Sequence, residues 1–198
     1  MNFNSIGKVG NWTLKMLTFD AKNNKWWCVG TEGNTGEMNN VAMQPWTDKG
    51  LLGGWTLKMI AFDSNDTMYS VGTEGNVGKW NGKGFTDLGL MGGWTLKMIA
   101  FDTKGTMWCV GADGNVGKWN GTGWDNYGLL GGWTLDWIAF RAGDVEEVYC
   151  VGAKHNLGKY EFDTKEMLSV STNWTLKSIL FGNETIAVGT EGNVGVSQ

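Results

Sequence analysis

The chain copies itself. GGWTLKMIAFDSNDTMYSVGTEGNVGKWNGKGF, from Gly53 to Phe85, is followed by GGWTLKMIAFDTKGTMWCVGADGNVGKWNGTGW, from Gly92 to Trp124, and looser copies lie on both sides. The tryptophan of each W-T-L tripeptide falls at Trp12, Trp55, Trp94, Trp133 and Trp174, in steps of 43, 39, 39 and 41 residues. The 24 residues beyond Trp174 and the first 12 of the chain together make a fifth interval of 36. The last unit is therefore complete only if the N-terminus supplies its missing piece. Periods of this length belong to solenoids, arrays and propellers, and a closed ring is the arrangement that makes both ends share one unit.

Each unit reads as four short strands. In the second they are Trp55 to Phe62, Thr67 to Gly72, Asn76 to Trp80 and Phe85 to Leu90, joined by SND, TEG and NGKG. Such Gly, Asn and Asp turns connect antiparallel neighbours. In the first strand Trp55, Leu57, Met59 and Ala61 are expected to point one way and Ile60 and Phe62 the other. A sheet apolar on both faces must be covered on both, and four-stranded units stacked around an axis meet that demand. A linear solenoid would need polar capping units, yet the fifth unit still reads WTLKSILF and VGTEGNVG.

The expectation is an all-β chain: a five-bladed β-propeller with four antiparallel strands per blade, spanning 1–198 as a single domain. The blades start near 12, 55, 94, 133 and 174, and residues 1–11 supply the closing strand of blade 5. FNSIG, Phe3 to Gly7, matches FTDLG, Phe85 to Gly89, and belongs beside Asn193 to Ser197.

Charge narrows the partners. With 16 Lys and Arg against 20 Asp and Glu the formal net charge is -4, and no basic stripe is present to release counterions from a phosphate backbone, which argues against nucleic acid. No apolar run has the length of a signal segment or a membrane span. A soluble protein without membrane insertion is expected, with cytoplasmic storage or signal-independent release as its compartments and a monomer as one of the open oligomeric states. Cys28, Cys109 and Cys150 share a repeat position held by Ser70 and Ala187 in the other units. That position reads as a small, buried strand site, and its copies on separate blades lie beyond the about 7 Å reach of a disulfide. The one histidine, His155, stands where other units have Gly33, Gly75, Gly114 and Gly192. No Ser-His-Asp set, zinc spacing or phosphate loop can be assembled around it. Neither enzymatic activity nor a metal or cofactor is expected.

Polar residues recur with the core. The turn after the second strand reads TEGN, TEGN, ADGN, AKHN and TEGN, and always ends in asparagine: Asn34, Asn76, Asn115, Asn156 and Asn193. Asparagine there either takes the left-handed backbone of a tight turn or offers amide donors and an acceptor to a ligand hydroxyl or N-acetyl group. The acid two residues earlier, Glu32, Glu74, Asp113 or Glu191, becomes Lys154 in the fourth unit. It can accept two sugar hydroxyls or merely charge a hairpin tip. Trp80, Trp119 and Tyr160 share a third-strand position held elsewhere by Met38 and Ser197. Such rings cover the C–H face of a pyranose or pack between blades. The opening tryptophans, among them Trp55, Trp94 and Trp133, fit a wedge between blades or a pocket wall.

GGWTLKMIAFDTKGTMWCVG resembles the blade of the tachylectin-type five-bladed propeller lectins. Their repeats open with GGW, continue with a large hydrophobe and Lys, reach an aromatic-Asp pair and end in an aromatic-x-Val strand. The resemblance covers all five units, most closely Gly53 to Gly72 and Gly92 to Gly111, and tectonin-type propellers are similar more distantly. NVGKWNGKG departs from it, replacing a longer family segment that carries a double proline. The resemblance implies a multivalent lectin that takes terminal N-acetylated amino sugars, of the N-acetylglucosamine or N-acetylgalactosamine type, in pockets between or on the blades. The asparagines, acids and aromatic residues just named are its candidate ligand-binding side chains. Two rival readings stand beside it: a protein–protein scaffold, which needs an asymmetric patch, and a recently duplicated repeat whose copies carry no ligand information.

Overall fold

A computed structural model describes residues 1–39, 46–143, 146–182 and 184–197. Strand β1 (Phe3–Gly7) comes first. Blade 1 follows with β2 (Leu14–Asp20), β3 (Lys25–Gly30), β4 (Thr35–Met38) and β5 (Thr47–Gly50), and blade 2 with β6 (Leu57–Phe62), β7 (Met68–Gly72), β8 (Val77–Trp80) and β9 (Phe85–Asp87). Blade 3 holds β10 (Leu96–Phe101), β11 (Met107–Gly111), β12 (Val116–Trp119) and β13 (Trp124–Gly128). Blade 4 holds β14 (Leu135–Arg141), β15 (Glu147–Gly152), β16 (Leu157–Glu161) and β17 (Glu166–Val170), and β18 (Leu176–Phe181), β19 (Thr185–Gly189) and β20 (Val194–Ser197) begin blade 5.

The strands form five antiparallel sheets of four, and the fifth runs β1-β20-β19-β18, so the N-terminal strand closes the last blade. Phe3 pairs with Ser197, Asn4 with Val196 and Ser5 with Gly195. The Asn173 side chain secures the junction, accepting from Phe3 N–H at 2.9 Å and donating to Phe3 C=O at 3.0 Å. The five-bladed propeller with N-terminal closure is thus the observed fold. Among the described residues no helix is long and apolar enough to cross a membrane.

The innermost strands depart from the simple alternation expected of them. The first strand of blade 2 starts at Leu57 rather than Trp55, because Leu52–Gly54 form a 3₁₀ turn with Gly53 at φ 60°. Trp55 N–H is spent on Leu52 C=O at 3.2 Å, so the ladder begins two residues later. A β-bulge then lies between Leu57 and Met59, and recurs between Leu14 and Met16, Leu96 and Met98, Leu135 and Trp137, and Leu176 and Ser178. A bulge adds one unpaired residue and re-aims its side chain. Past it Met59, Ile60 and Ala61 are all buried, as a sheet covered on both faces requires. Phe101 packs on Tyr69 of the preceding blade at 5.4 Å between centroids, Phe140 on Trp108 at 5.5 Å and Phe181 on Tyr149 at 4.6 Å. The five first strands together line a cavity of about 180 Å³ on the ring axis.

The leucines that open these strands, Leu14, Leu57, Leu96, Leu135 and Leu176, are fully buried. Each such side chain contributes roughly 1.5–3 kcal/mol. Their peptide groups do something further. Leu57 N–H donates to Gly33 C=O of the preceding blade at 3.1 Å, Leu96 to Gly75 at 3.0 Å, Leu135 to Gly114 at 3.4 Å, Leu176 to His155 at 2.9 Å and Leu14 to Gly192 at 3.4 Å. The carbonyls of the same leucines accept from the preceding blade too: Leu57 from Lys15 Nζ at 3.3 Å, Leu96 from Lys58 at 3.1 Å, Leu135 from Lys97 at 3.1 Å and Leu14 from Lys177 at 3.5 Å. In blade 4 an aspartate, Asp136, replaces the lysine and cannot donate. There His155 Nδ1 lies 3.1 Å from Leu176 C=O and serves as the donor.

Cys28, Cys109 and Cys150 are buried free thiols. Burial pushes Cys109 and Cys150 up to about 12 and raises Cys28 as well. Ser70 holds the same position in blade 2, and among the described residues its buried Oγ finds no hydrogen-bond partner. An unpaired buried hydroxyl costs about 1–3 kcal/mol, and Ala187 shows that a methyl fits this position in blade 5. Ser70→Ala is therefore expected to stabilise the protein by about 1 kcal/mol in urea unfolding, whereas a loss of stability would show the hydroxyl to be satisfied.

Candidate functional site

The repeated polar residues meet at the end of each blade where the first strand begins. The Gly-Gly of the W-T-L corner is what brings the chain there. Gly92 and Gly93 sit at φ 59° and 75°, a left-handed pair that side chains disfavour, and they deliver Trp94 across its own sheet. The indole lies against Gly111, where an added Cβ would come within 3.2 Å of its ring. Trp55 lies likewise on Gly72, Trp133 on Gly152 and Trp174 on Gly189. The opening tryptophans are half-buried, so one part of each indole packs on the sheet while another borders solvent. The glycines of the second and third strands recur because the ring needs their bare backbone.

In blade 3 a cavity of about 480 Å³ is lined by Gly93, Trp94, Thr95, Gly111, Ala112, Asp113, Asn115 and Asn126. It joins three kinds of candidate predicted from sequence, a tryptophan, an acid and an asparagine, in one recess. Blade 4 carries the counterpart, about 370 Å³, with Trp133, Thr134, Lys154 and Asn156 in its lining. Both cavities are built from the residues of a single blade. The equivalent side chains elsewhere are Glu32 and Asn34 in blade 1, Trp55, Glu74 and Asn76 in blade 2, and Glu191 and Asn193 in blade 5. All the turn acids, and Lys154, are exposed.

The asparagines do not serve the turn through their backbone conformation. The left-handed residue is the one before, Gly33, Gly75, Gly114 and Gly192 at φ 77–84° and His155 at φ 62°, and no turn asparagine has positive φ. Each asparagine C=O accepts from the glycine that ends the second strand, for example Gly72 N–H to Asn76 at 3.0 Å and Gly111 N–H to Asn115 at 2.9 Å. The side-chain Oδ1 of Asn34, Asn76, Asn156 and Asn193 presses on that same glycine, within 2.5–2.7 Å of where a Cβ would stand. Asn76 Nδ2 donates to Asp87 Oδ1 at 3.1 Å.

Trp80, Trp119 and Tyr160 are placed apart from these recesses. They sit at the opposite end of the third strand, four residues and about 13 Å from the asparagine. There they pack on strand-four or neighbouring aromatics: Trp80 on Phe85 at 5.1 Å, Trp119 on Trp124 at 5.0 Å and Tyr160 on Phe162 at 5.0 Å. Tyr160 borders a different cavity, with Arg141, Glu147 and Lys159. Five lining residues of the blade 3 cavity, Gly93, Thr95, Gly111, Ala112 and Asn126, are not among the candidates read from the sequence. Asn126 belongs to a recurring polar-x-Gly step at the end of the fourth strand, in which Asn126 accepts from Gly128 N–H at 2.8 Å, Asp87 from Gly89 at 2.8 Å, Asp48 from Gly50 at 2.8 Å and Ser5 from Gly7 at 3.1 Å. The spacing was there to be read; the residue type varies.

No family model and no curated protein matches the chain. Solved structures do. The chain is similar to YCF48 bound to a D1 peptide, with TM-score 0.59 and 14% identity over 88% of this chain and 61% of that one. It is similar to a structural genomics protein of unknown function from Bacteroides thetaiotaomicron, with TM-score 0.61 and 10% identity over 91% and 57% of the two chains. A third likeness, at TM-score 0.53 and 14% identity, is to the extracellular domain of a putative hybrid two-component system from B. thetaiotaomicron, with 97% of this chain and 29% of that one covered. The chain spans less than two thirds of each of these proteins, and at such identities what it shares with them is the propeller fold.

The glycine under the indole makes the site's architecture testable. Gly72→Ala would set a methyl 2.6 Å from Asn76 Oδ1 and 3.3 Å from the Trp55 ring. It is expected to cost about 1–3 kcal/mol by overpacking. Gly84→Ala meets nothing within 4 Å and should stay within about 0.5 kcal/mol of the parent; equal effects in chemical denaturation would contradict this packing.

Proposed function

We propose that the chain is a multivalent, non-catalytic carbohydrate-binding protein that takes terminal sugars, N-acetylated amino sugars first among them, in the recess at the end of each blade. The observation that carries this reading is the blade 3 cavity, where the Asp113 carboxylate, the Asn115 and Asn126 amides and the Trp94 indole border one space. Carboxylates accept sugar hydroxyls, amides pair with both hydroxyl and N-acetyl groups, and an indole edge meets the apolar C–H surface. The resemblance of the W-T-L blade to tachylectin-type lectins supports the same class of ligand.

Few buried contacts at one recess must offset the desolvation of many hydroxyls, so a single site binds weakly. Several recesses on one rigid ring raise the effective concentration of the next contact, and avidity adds about 10²- to 10⁴-fold on a dense glycan surface. Blade 4, with Lys154 in place of the acid, is the altered site. A scaffold for proteins is the second reading, which YCF48 with its bound D1 peptide brings to mind, but the recurring polar recess favours a repeated small ligand.

Calorimetric titration with N-acetylglucosamine and N-acetylgalactosamine, preceded by a glycan array, tests the proposal. Several weak, near-equivalent sites per chain are expected, with one fewer in Asn115→Ala and stronger retention of the protein on multivalent glycan than on free sugar. No response to any sugar, or one site unaffected by Asn115→Ala, would contradict it.

A further inference from the structure

The second residue of the innermost strand is lysine in four blades, Lys15, Lys58, Lys97 and Lys177. It is the residue skipped by the bulge in each of these strands, next in sequence to Met16, Met59 and Met98, which line the axial cavity. Each ammonium reaches across to a leucine carbonyl of the following blade. The lysines therefore stand in a ring around one mouth of the channel. A carbonyl needs only a donor, and glutamine would offer one without charge.

The charge itself is balanced at one place. Lys97 forms a salt bridge of 2.7 Å with Asp136, the residue that breaks the ring in blade 4. Among the described residues Lys15, Lys58 and Lys177 have no salt bridge. Burial lowers the proton affinity of Lys15, and the Lys58 and Lys177 charges lower it further. For Lys58 burial again comes first, with Glu74 the opposing carboxylate and Lys97 adding repulsion; Lys177 feels burial and then Lys8. Lys15 thus stands between two like charges, Lys177 on the preceding blade and Lys58 on the following one, in a protein whose net charge is -4.

We propose that Lys15, Lys58 and Lys177 form a binding site for a tetrahedral oxyanion, a phosphate or sulfate group, at the mouth of the axial channel. The bulges hold the three ammonium groups in place before the anion arrives, and a doubly charged oxyanion with several acceptor oxygens relieves their mutual repulsion. The site is separate from the blade recesses and does not depend on the sugar reading.

The test is titration of the full chain with inorganic phosphate and with sulfate at low ionic strength, against chloride of matched ionic strength. One saturable site per chain is expected, with a rise in melting temperature that chloride does not reproduce. The triple variant Lys15→Gln, Lys58→Gln, Lys177→Gln keeps donors at all three positions and is expected to bind phosphate at least about tenfold more weakly. Asp136→Asn, which frees Lys97, is expected to bind it about threefold or more tightly, and it carries the test on its own if the triple variant does not fold. Asn115→Ala should leave anion binding unchanged. N-acetylglucosamine 6-sulfate competing with inorganic sulfate, where N-acetylglucosamine does not, assigns the group to a glycan; competition by neither sugar assigns it to a free ion. No saturable site in the parent protein, an unchanged affinity in a folded triple variant, or weaker binding by Asp136→Asn overturns the proposal.

Discussion

The ring is held by a peptide group that each blade gives to the one before it. At the W-T-L corner the strand bulges, and the freed leucine N–H and C=O both point at the neighbouring blade. The neighbour answers with a turn carbonyl from its TEGN tip and with the side chain of its bulge lysine. The arrangement is reciprocal around the circle, and Leu14 with Gly192 and Lys177 completes it across the termini. Gly33 shows how close the parts come: an added Cβ would stand 2.4 Å from Thr56 Cγ2 and 2.9 Å from Leu57 N. A polar turn copied nearly letter for letter is thus first a joint between blades, and its acid is what stays turned to solvent.

Blade 4 shows which parts of the joint are chemistry and which are habit. Asp136 replaces the lysine that would have donated to Leu176 C=O, and His155 of the same blade replaces the turn glycine and supplies that donor. Seen alone in the sequence, His155 looks like an accident in a turn; beside Asp136 it is the second half of a paired exchange. The same blade places Trp137 where three others have methionine, and its Nε1 donates to Ile179 C=O of blade 5 at 2.9 Å. The joint tolerates different donors as long as the leucine peptide is served.

The number of blades, their four strands and the closure of the last by Phe3 to Gly7 were legible in the sequence, because repeat spacing and turn residues are local signals that the ring only assembles. The bulge was not. Strict alternation from Trp55 onward is broken by a backbone step that leaves no composition of its own, and the lysine that occupies it reads as an ordinary solvated residue until its partner carbonyl on the next blade is seen. The grouping of Trp94, Asp113 and Asn115 followed from their nearness in a four-strand unit. Trp80, Trp119 and Tyr160 stand toward the far end of the strand that each asparagine immediately precedes, since a strand separates in space what it keeps near in sequence. The left-handed backbone considered for asparagine belongs to the residue before it, where glycine is also required by the neighbouring blade.

Amide hydrogen exchange, read residue by residue, tests the closed ring most directly. The account predicts that the amides of Phe3 and of Val196, which lie on the two strands that meet at the closure, exchange as slowly as those of β7 and β11 and only through global unfolding, with the Leu14 amide protected alongside Leu57 and Leu96. Rapid exchange of Phe3 and Val196, as from a frayed terminus, while β7 and β11 stay protected, would contradict it.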